Sequence, residues 1–464
     1  MIKEDKKNKK GEEMRTICAI STAMQPGAIA IIRMSGSGSF AIANKIFRSA
    51  SGKDDFKNKY MYFGRIYDGD EFVDEVLITF MKAPNTYTTE DMVEIYSHGS
   101  VISQRRILNL LLKNGAELAE RGEFTKKAFI GGRIDITQAE AVADMINAKT
   151  DMSYNLSLKA FDGSVREFIN GLADSLKMLI ANIEVAIDYP EEDIEEISYE
   201  RITNTLTDVK NSLDEHIRRA STSTLIKDGI KTSIVGVPNV GKSSLLNTFT
   251  REETAIVSNI EGTTRDMITE YIDLEGISLK LMDTAGIREA SDEIERMGVA
   301  ISKKAIKDAD LVLAVFDYSK PMTEGDKEII DMVQDKKHIY ILNKVDEGEN
   351  GEYLDHFEQN AKYILTSLKT GEGFEALKDM IKEMFLGGEI TQDDLVYANI
   401  REMDLLNKAH SAISEALNDA EHKQVYDLLI VNIRGALDSL LEILGEKLDS
   451  EILDKIFQNF CIGK

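Results

Sequence analysis

Between Gly236 and Ser243 the chain reads Gly-Val-Pro-Asn-Val-Gly-Lys-Ser, a turn bracketed by glycines and closed by a lysine and a hydroxyl. Those types at that spacing suit a polyphosphate. Backbone N–H groups of such a turn converge on one place, Gly236 and Gly241 permit close approach, Lys242 brings a point charge to the outer phosphates, and the Ser243 hydroxyl suits magnesium. Asp283-Thr-Ala-Gly286 offers a carboxylate for a magnesium-bound water and a glycine N–H for the terminal phosphate. Gly262-Thr263-Thr264 lies between the two, at the interval of a switch whose Thr264 completes the magnesium shell. In Asn343-Lys344-Val345-Asp346 the Asp346 carboxylate can accept from both N1–H and the amino group of guanine, a donor pair that adenine lacks. The expected ligand is GTP with Mg2+, and ATP should be refused. A single glycine-rich turn can match by chance; ordered motifs across one domain's length point to a site.

Strand ends must carry these residues. Ile230 to Val235 alternates as a strand, Ser244 to Phe249 begins a helix, and Leu279–Met282, Ile339–Leu342 and Tyr363–Leu365 read as further strands. The expected domain is a Ras-like P-loop fold with a mostly parallel sheet. Ser367-Leu368-Lys369 resembles the last base-contacting loop of GTPases, with Leu368 where alanine is more usual. The expected nucleotide contacts are therefore Asn239, Val240, Gly241, Lys242, Ser243 and Ser244; Ser258, Asn259, Ile260, Glu261, Gly262, Thr263 and Thr264; Asp283, Thr284, Ala285 and Gly286; Asn343, Lys344 and Asp346; and Ser367, Leu368 and Lys369. Ile287 stands where Ras-like proteins carry the glutamine that orients the attacking water. Asn239 and the Gly-Thr-Thr switch resemble the potassium-activated GTPases, which implies K+ contacts from Asn239, Ser258, Ile260 and Thr263. Asn239 reads equally as a turn-forming asparagine.

At 464 residues the length suggests roughly three domains, and the nucleotide motifs occupy only the middle one. With 43% hydrophobic and 30% charged residues, and no run approaching the roughly 20 apolar residues of a membrane span, the composition argues against a membrane protein and a transporter-linked GTPase. The two cysteines, Cys18 and Cys461, make no disulfide framework and no secretory leader is visible, so a cytoplasmic location is expected. Residues 1–13 read as a disordered Lys/Glu extension or a misassigned start. A net charge of −25 and a pI near 4.8 exclude RNA binding by bulk electrostatics, leaving local contacts or a partner's. The acidic run from Asp188 to Glu196 reads as a solvated helix junction rather than an interaction face.

The texture changes twice. From Thr16 to about Glu123, short apolar runs (Gly27–Ile32, Glu75–Phe80) and a helix around Ile102–Leu112 describe an α+β region. From Asp135 the period is helical, with Thr137-Gln-Ala-Glu140 as a capping box and Ala141, Val142, Met145 and Ile146 on one face. Long helices follow through Leu158, Phe161, Phe168, Leu172, Leu176, Leu179 and Ile183, and helical spacing returns at Leu405, Leu406, Ala409, Ile413 and Leu417. The expected class is multidomain α/β and α+β. Its divisions are an α+β domain over 14–133, a helical bundle over 134–225 and 387–464, and the GTPase domain inserted at 226–386.

Cys461 near the end suggests prenylation, but Gly463 fits the aliphatic pattern poorly. The terminal Phe460-Cys-Ile-Gly-Lys464, Gly27-Ala-Ile-Ala-Ile-Ile-Arg33-Met-Ser-Gly36, Gly122-Glu-Phe124 and Asp135-Ile-Thr-Gln-Ala-Glu-Ala141, around a potassium-type GTPase, together resemble the MnmE (TrmE) family of tRNA-modification GTPases. The likeness runs from Met14 onward. It implies a homodimer held by the N-terminal domains, which pairs with the flavoprotein MnmG, the carrier of FAD. The product is an aminomethyl or carboxymethylaminomethyl group on C5 of the tRNA wobble uridine. It implies a 5-formyl- or 5,10-methylene-tetrahydrofolate on Arg33, Glu94, Arg133 and Lys464, with Glu94 accepting from the pterin and the cations facing the glutamate tail or formyl oxygen. Arg133 stands where lysine is usual, Ala23 and Gln25 where proline and glycine are, and Ser97-His98-Gly99-Ser100 replaces Cys-His-Gly-Gly. Glu295 takes the water-orienting role by the same resemblance, and Cys461 is a candidate nucleophile or redox group, or a buried apolar residue. The other readings are a ribosome-assembly GTPase, which needs an RNA-binding module or second GTPase domain that is not visible, and a purely regulatory GTP switch.

Overall fold

A computed structural model describes residues 15–52, 55–188, 198–252, 255–257, 270–282, 306–386, 395–446 and 448–464. They form two compact units, Met1–Ala143 with Phe161–Ala173 and Asp438–Lys464, and Asp144–Ala160 with Asp174–Leu437.

The first unit is built on β1 (Ile17–Ile20), β2 (Ile29–Ser35), β3 (Phe47–Ser49), β4 (Met61–Asp68), β5 (Glu71–Met81), β6 (Met92–His98) and β7 (Glu117–Leu118), ordered β3-β4-β5-β6-β2-β1-β7. All pairs are antiparallel except β1 with β7. Alternation sends Ile32, Met34, Val93, Ile95, Val76 and Ile78 into one core, closed by Ile42, Ile46, Ile107, Leu110 and Leu111 from the helices Ser39–Ile46 and Val101–Lys113. The opposite face carries Arg33 directly across from Glu94, and exposes Ile29, Met61, Phe63 and Leu77. Asp438–Lys464 joins this unit because Phe457 and Phe460 pack on Ala128, Ile134, Ile136 and Ala139.

The helix Ile136–Asn147 is capped two residues earlier than the sequence pattern suggests. Asp135 Oδ1 accepts from Gln138 N–H (2.9 Å) and the Thr137 hydroxyl (2.7 Å), while Gln138 Oε1 accepts from Asp135 N–H (3.1 Å). The carboxylate, also paired with Arg166 at 3.4 Å, takes the cap, and Thr137 is drawn into the buried face. The expected apolar face also stops short: Ala141 and Val142 are buried, but Ile146, in the last turn, is exposed. Leu158 is exposed as well, since the buried stripe of Asp151–Phe161 runs through Met152, Leu156 and Ala160, two positions to either side of it.

The second unit holds β8 (Ile230–Val235), β9 (Ala255–Val257), β10 (Glu270–Leu274), β11 (Ile277–Leu281), β12 (Leu311–Asp317), β13 (His338–Asn343) and β14 (Tyr363–Thr366), ordered β14-β13-β12-β8-β11-β10-β9. The five strands from β14 to β11 are parallel, and β10 and β9 extend the sheet antiparallel. β12 is buried along its whole length, as a parallel strand covered on both faces must be. Phe249, Phe374, Leu377 and Ile381 close one face, and Ile329, Ile330, Val333 and Tyr353 the other. The helices Tyr199–Asp228 and Ile400–Glu421 pack on one another on opposite sides of this insertion in the chain. Where the chain enters and leaves the sheet domain, Thr224 Oγ1 donates to Ala398 O (3.1 Å) and Lys227 Nζ to Asp144 Oδ2 (3.0 Å). The acidic run from Asp188 to Glu196 lies, beyond Asp188, outside the described residues.

At the end of β6 a Cβ on Gly99 would stand 2.2 Å from the Gly27 carbonyl oxygen. Gly99→Ala should destabilise the first unit by about 2 kcal/mol or more. Gly171, exposed within the helix Ser164–Asp188 with nothing within 4 Å of a Cβ, should behave oppositely. Gly171→Ala should stabilise by about 0.5–1 kcal/mol. Calorimetry of the two variants checks both signs.

Candidate nucleotide and anion sites

The order of strands reverses between β8 and β12, and the crevice above their C-terminal ends is where such sheets take ligands. The loop after β8 opens there. Lys242 Nζ donates to the carbonyls of Gly236 and Val237, both at 2.8 Å, so the cation is held over the loop it serves. Gly241 has φ +114°, and a Cβ there would meet Asn343 Nδ2 at 2.3 Å. The cradle exists because that carbon is missing. Asn239 is exposed with φ +64°, a conformation asparagine tolerates, so its turn-forming role has direct geometric support. Val240 is buried behind the loop, while Ser243 and Ser244 are exposed at the start of the helix Lys242–Glu252.

β13 ends at the residues expected to read the base. Asn343 Nδ2 donates to Val240 O (2.8 Å) and its Oδ1 accepts from Leu368 N–H (3.1 Å), joining the phosphate loop to the base loop. Lys344, at φ +70°, donates to Asp317 Oδ2 at 2.6 Å. Burial pushes the Asp317 carboxyl up, but hydrogen bonds from Lys344, Ser319 and Lys320 outweigh it and hold it at about 2. The Ser367 hydroxyl donates to Asp346 Oδ1 at 2.7 Å, and Lys369 Nζ lies 3.8 Å from Oδ2. Chiefly through Ser367, and against some burial, the Asp346 carboxyl is held below the usual carboxylate range. An ionised, oriented acceptor thus waits for a pair of N–H donors.

The first unit gathers a second set. Arg33 Nε and a terminal guanidinium nitrogen meet Glu94 Oε1 at 2.9 and 2.8 Å, and Tyr96 OH donates to Glu94 Oε2 at 2.6 Å. Burial first, then that hydrogen bond to Glu94, pushes the Tyr96 phenol up to about 12. The Arg33 guanidinium carbon lies 5.3 Å from the Tyr87 ring centroid and 5.7 Å from that of Phe124; that of Arg133 lies 4.5 Å from Tyr87. Arg33, Glu94 and Arg133 are therefore brought together around Tyr87. The terminal segment rests on the edge of the sheet: Ile462 bridges Arg121, Gly122 N–H donates to Cys461 O (3.4 Å) and Ser21 Oγ to Gly463 O (3.1 Å). Lys464 is half-buried, and Cys461 is exposed, which removes the reading of it as a buried apolar residue. Cys18 is buried, and burial pushes its thiol up to about 12.

The family model for the N-terminus of GTP-binding protein TrmE matches residues 16–133, and that for the MnmE helical domain matches residues 136–461. A protein of Finegoldia magna named tRNA modification GTPase MnmE is 46% identical over 97% of this chain and 99% of its own. One of the same name from Clostridioides difficile is 43% identical over 97% and 99%. This chain belongs to the MnmE family of tRNA modification GTPases. Among solved structures, the G domain of the FeoB iron transporter of T. maritima is 29% identical over 33% of this chain and 97% of its own, with a TM-score of 0.24.

As an MnmE-family member the protein is a GTP-binding GTPase. Of the residues expected at its nucleotide, Ser258, Asn259, Ile260, Glu261, Gly262, Thr263, Thr264, Asp283, Thr284, Ala285 and Gly286 lie outside the described residues, as do Ile287 and Glu295. Three neighbours of the expected residues escaped the sequence reading. Tyr96 follows Glu94 by two on one strand, so period-2 alternation could have placed it on the same face. Asp317, at the end of a strand, braces Lys344, 27 residues on, and Tyr87, in the bend after β5, meets the cations of Arg33 and Arg133, on the order of 50 residues away, and no local pattern marks either. Among the described residues no helix is long and apolar enough to cross a membrane.

Asp346→Asn replaces a two-donor acceptor with an amide that offers one acceptor and one donor. It should weaken GDP binding by about 100-fold or more and strengthen binding of xanthosine diphosphate, whose C2 carbonyl accepts where guanine donates. Isothermal titration with the two nucleotides measures both.

Proposed function

We propose that this protein hydrolyses GTP to time the modification of C5 of the wobble uridine in certain tRNAs, acting in the cytoplasm as a homodimer with the flavoprotein MnmG. The observation that carries this reading is the 46% identity over nearly the full length of both chains to a relative named tRNA modification GTPase MnmE. Ser243 and Thr264 would hold Mg2+, and Asn239, Ser258, Ile260 and Thr263 would hold K+. Support for the phosphate end comes from Gly241, where a Cβ would close the cradle, and from Lys242 poised on the loop carbonyls. Glu295 is assigned the task of orienting the hydrolytic water, the role for which Ile287 is chemically unfit.

We assign a reduced folate to Arg33, Glu94, Arg133 and Lys464. A tetrahydrofolate supplies a one-carbon unit when bound. The donor set suits it: Glu94 is held by Arg33 and Tyr96 as an oriented acceptor for adjacent N–H groups, and Arg133 is exposed, a cation suited to a carboxylate. The homodimer reading is supported by the exposed Ile29, Met61, Phe63 and Leu77 on the sheet face opposite the helices, apolar surface that a second copy can cover. Cys461, exposed on the terminal segment, is available to act near that site. FAD belongs to the partner.

Glu295→Ala should leave GTP binding within about two-fold and lower hydrolysis in potassium by about 100-fold or more. Replacing potassium by sodium should slow the wild type and leave the variant almost unchanged. Phosphate release measured in the two salts checks this; equal rates for wild type and variant remove Glu295 from the mechanism, and equal rates in the two salts remove potassium. Equilibrium dialysis of the intact protein against 5-formyltetrahydrofolate should show retention, and none at high micromolar concentration removes the folate assignment.

A further inference from the structure

Tyr87 holds two guanidiniums, and only one of them is committed to an anion of the protein. Arg33 is fixed by Glu94 at 2.8 Å and also faces Phe124, so its place does not depend on Tyr87 alone. Arg133 is exposed, has no carboxylate partner among the described residues, and lies over no ring but that of Tyr87 among them. Tyr87 itself is held firmly. Its hydroxyl is 3.0 Å from Thr125 Oγ1, it packs against the Ala128, Phe457 and Phe460 cluster, and its neighbours are tied by Thr86 Oγ1 to Glu90 O and by Thr88 to Ser35, each at 2.6 Å. Two residues before Arg133, a Cβ on Gly131 would stand 2.1 Å from Thr89 Oγ1, so the turn carrying Tyr87 lies directly against the turn carrying Arg133.

We propose that Tyr87 is a positioning residue that aims Arg133 at the anionic end of the ligand, and so sets the preference of this site for a reduced pterin with a carboxylate tail over one without. The proposal rests on the folate assignment above and adds a division of labour to it. Glu94, oriented by Arg33 and Tyr96, serves the N–H donors of the pterin, whereas Arg133, over the ring of Tyr87, serves the tail. Loss of the ring removes the only described restraint on the Arg133 head group and leaves Glu94 as it was.

The full-length protein is titrated with tetrahydrofolate and with 6-methyltetrahydropterin, which shares its reduced pterin and lacks the p-aminobenzoylglutamate tail. Tyr87→Leu should weaken the tailed ligand by about five-fold and change the tail-less one by less than about two-fold. Tyr87→Phe should keep the tail preference. Arg133→Ala, at an exposed position, should show the same selective loss, and adding Tyr87→Leu to it should cost the tailed ligand nothing more. Equal weakening of both ligands by Tyr87→Leu makes the tyrosine merely structural and overturns the proposal, as does an unchanged tail preference in either single variant; the Arg133 result decides the matter if Tyr87→Leu fails to fold. A wild type that retains neither ligand removes the folate assignment and this inference together, whereas a wild type that binds with variants that do not discriminate removes this inference alone.

Discussion

The candidate nucleotide site depends on one side-chain amide. Asn343 donates to the carbonyl of Val240 in the loop after β8 and accepts from the N–H of Leu368 in the loop after β14, so one planar group fixes the distance between the two loops expected to hold the ends of the nucleotide. The loop glycine beside it has no Cβ because Asn343 stands where that carbon would be. Backbone conformation at Gly241, hydrogen bonding at Asn343 and the placement of Leu368 are therefore one constraint rather than three. Lys344 and Asp346 flank it on the same strand end, the first braced by Asp317 and the second by Ser367.

A similar device recurs in the first unit. Asp346 is kept as an ionised acceptor by a hydroxyl and a nearby lysine, and Glu94 is held by an arginine and a phenol. In each case a partly buried carboxylate has its direction fixed while capacity for further donors remains. Guanine and a pterin share the adjacent N–H donors that such a group recognises, which gives our two proposed ligands a common chemical logic. The acidity of the whole chain does not oppose this, because both sites are built from local pairs rather than from a surface field.

Much of the second unit was legible in the sequence because its chemistry and its folding use the same residues. Glycines and polar groups at strand ends mark both a turn and a ligand, and β8, β13 and β14 fall within a residue or two of where the alternation puts them. The helices were less legible in detail. Asp135 competes with Thr137 for the same cap and wins as the stronger acceptor, and Ile146 and Leu158 look like core residues until neighbours decide which stripe is covered. The bracing residues were hidden for another reason. Asp317 and Tyr87 act on residues distant in the chain, and a sequence pattern records spacing along the chain rather than across a sheet.

The central claim is that GTP hydrolysis here serves tRNA modification, and nucleoside mass analysis tests it most directly. Bulk tRNA from cells lacking this protein should have lost the C5-modified wobble uridine. The wild-type chain should restore it, and a chain carrying Lys242→Ala should not, although Lys242 belongs to the candidate nucleotide site and not to the unit proposed to hold the folate. Unchanged wobble uridine in cells without the protein would contradict the account, and full restoration by Lys242→Ala would separate hydrolysis from modification.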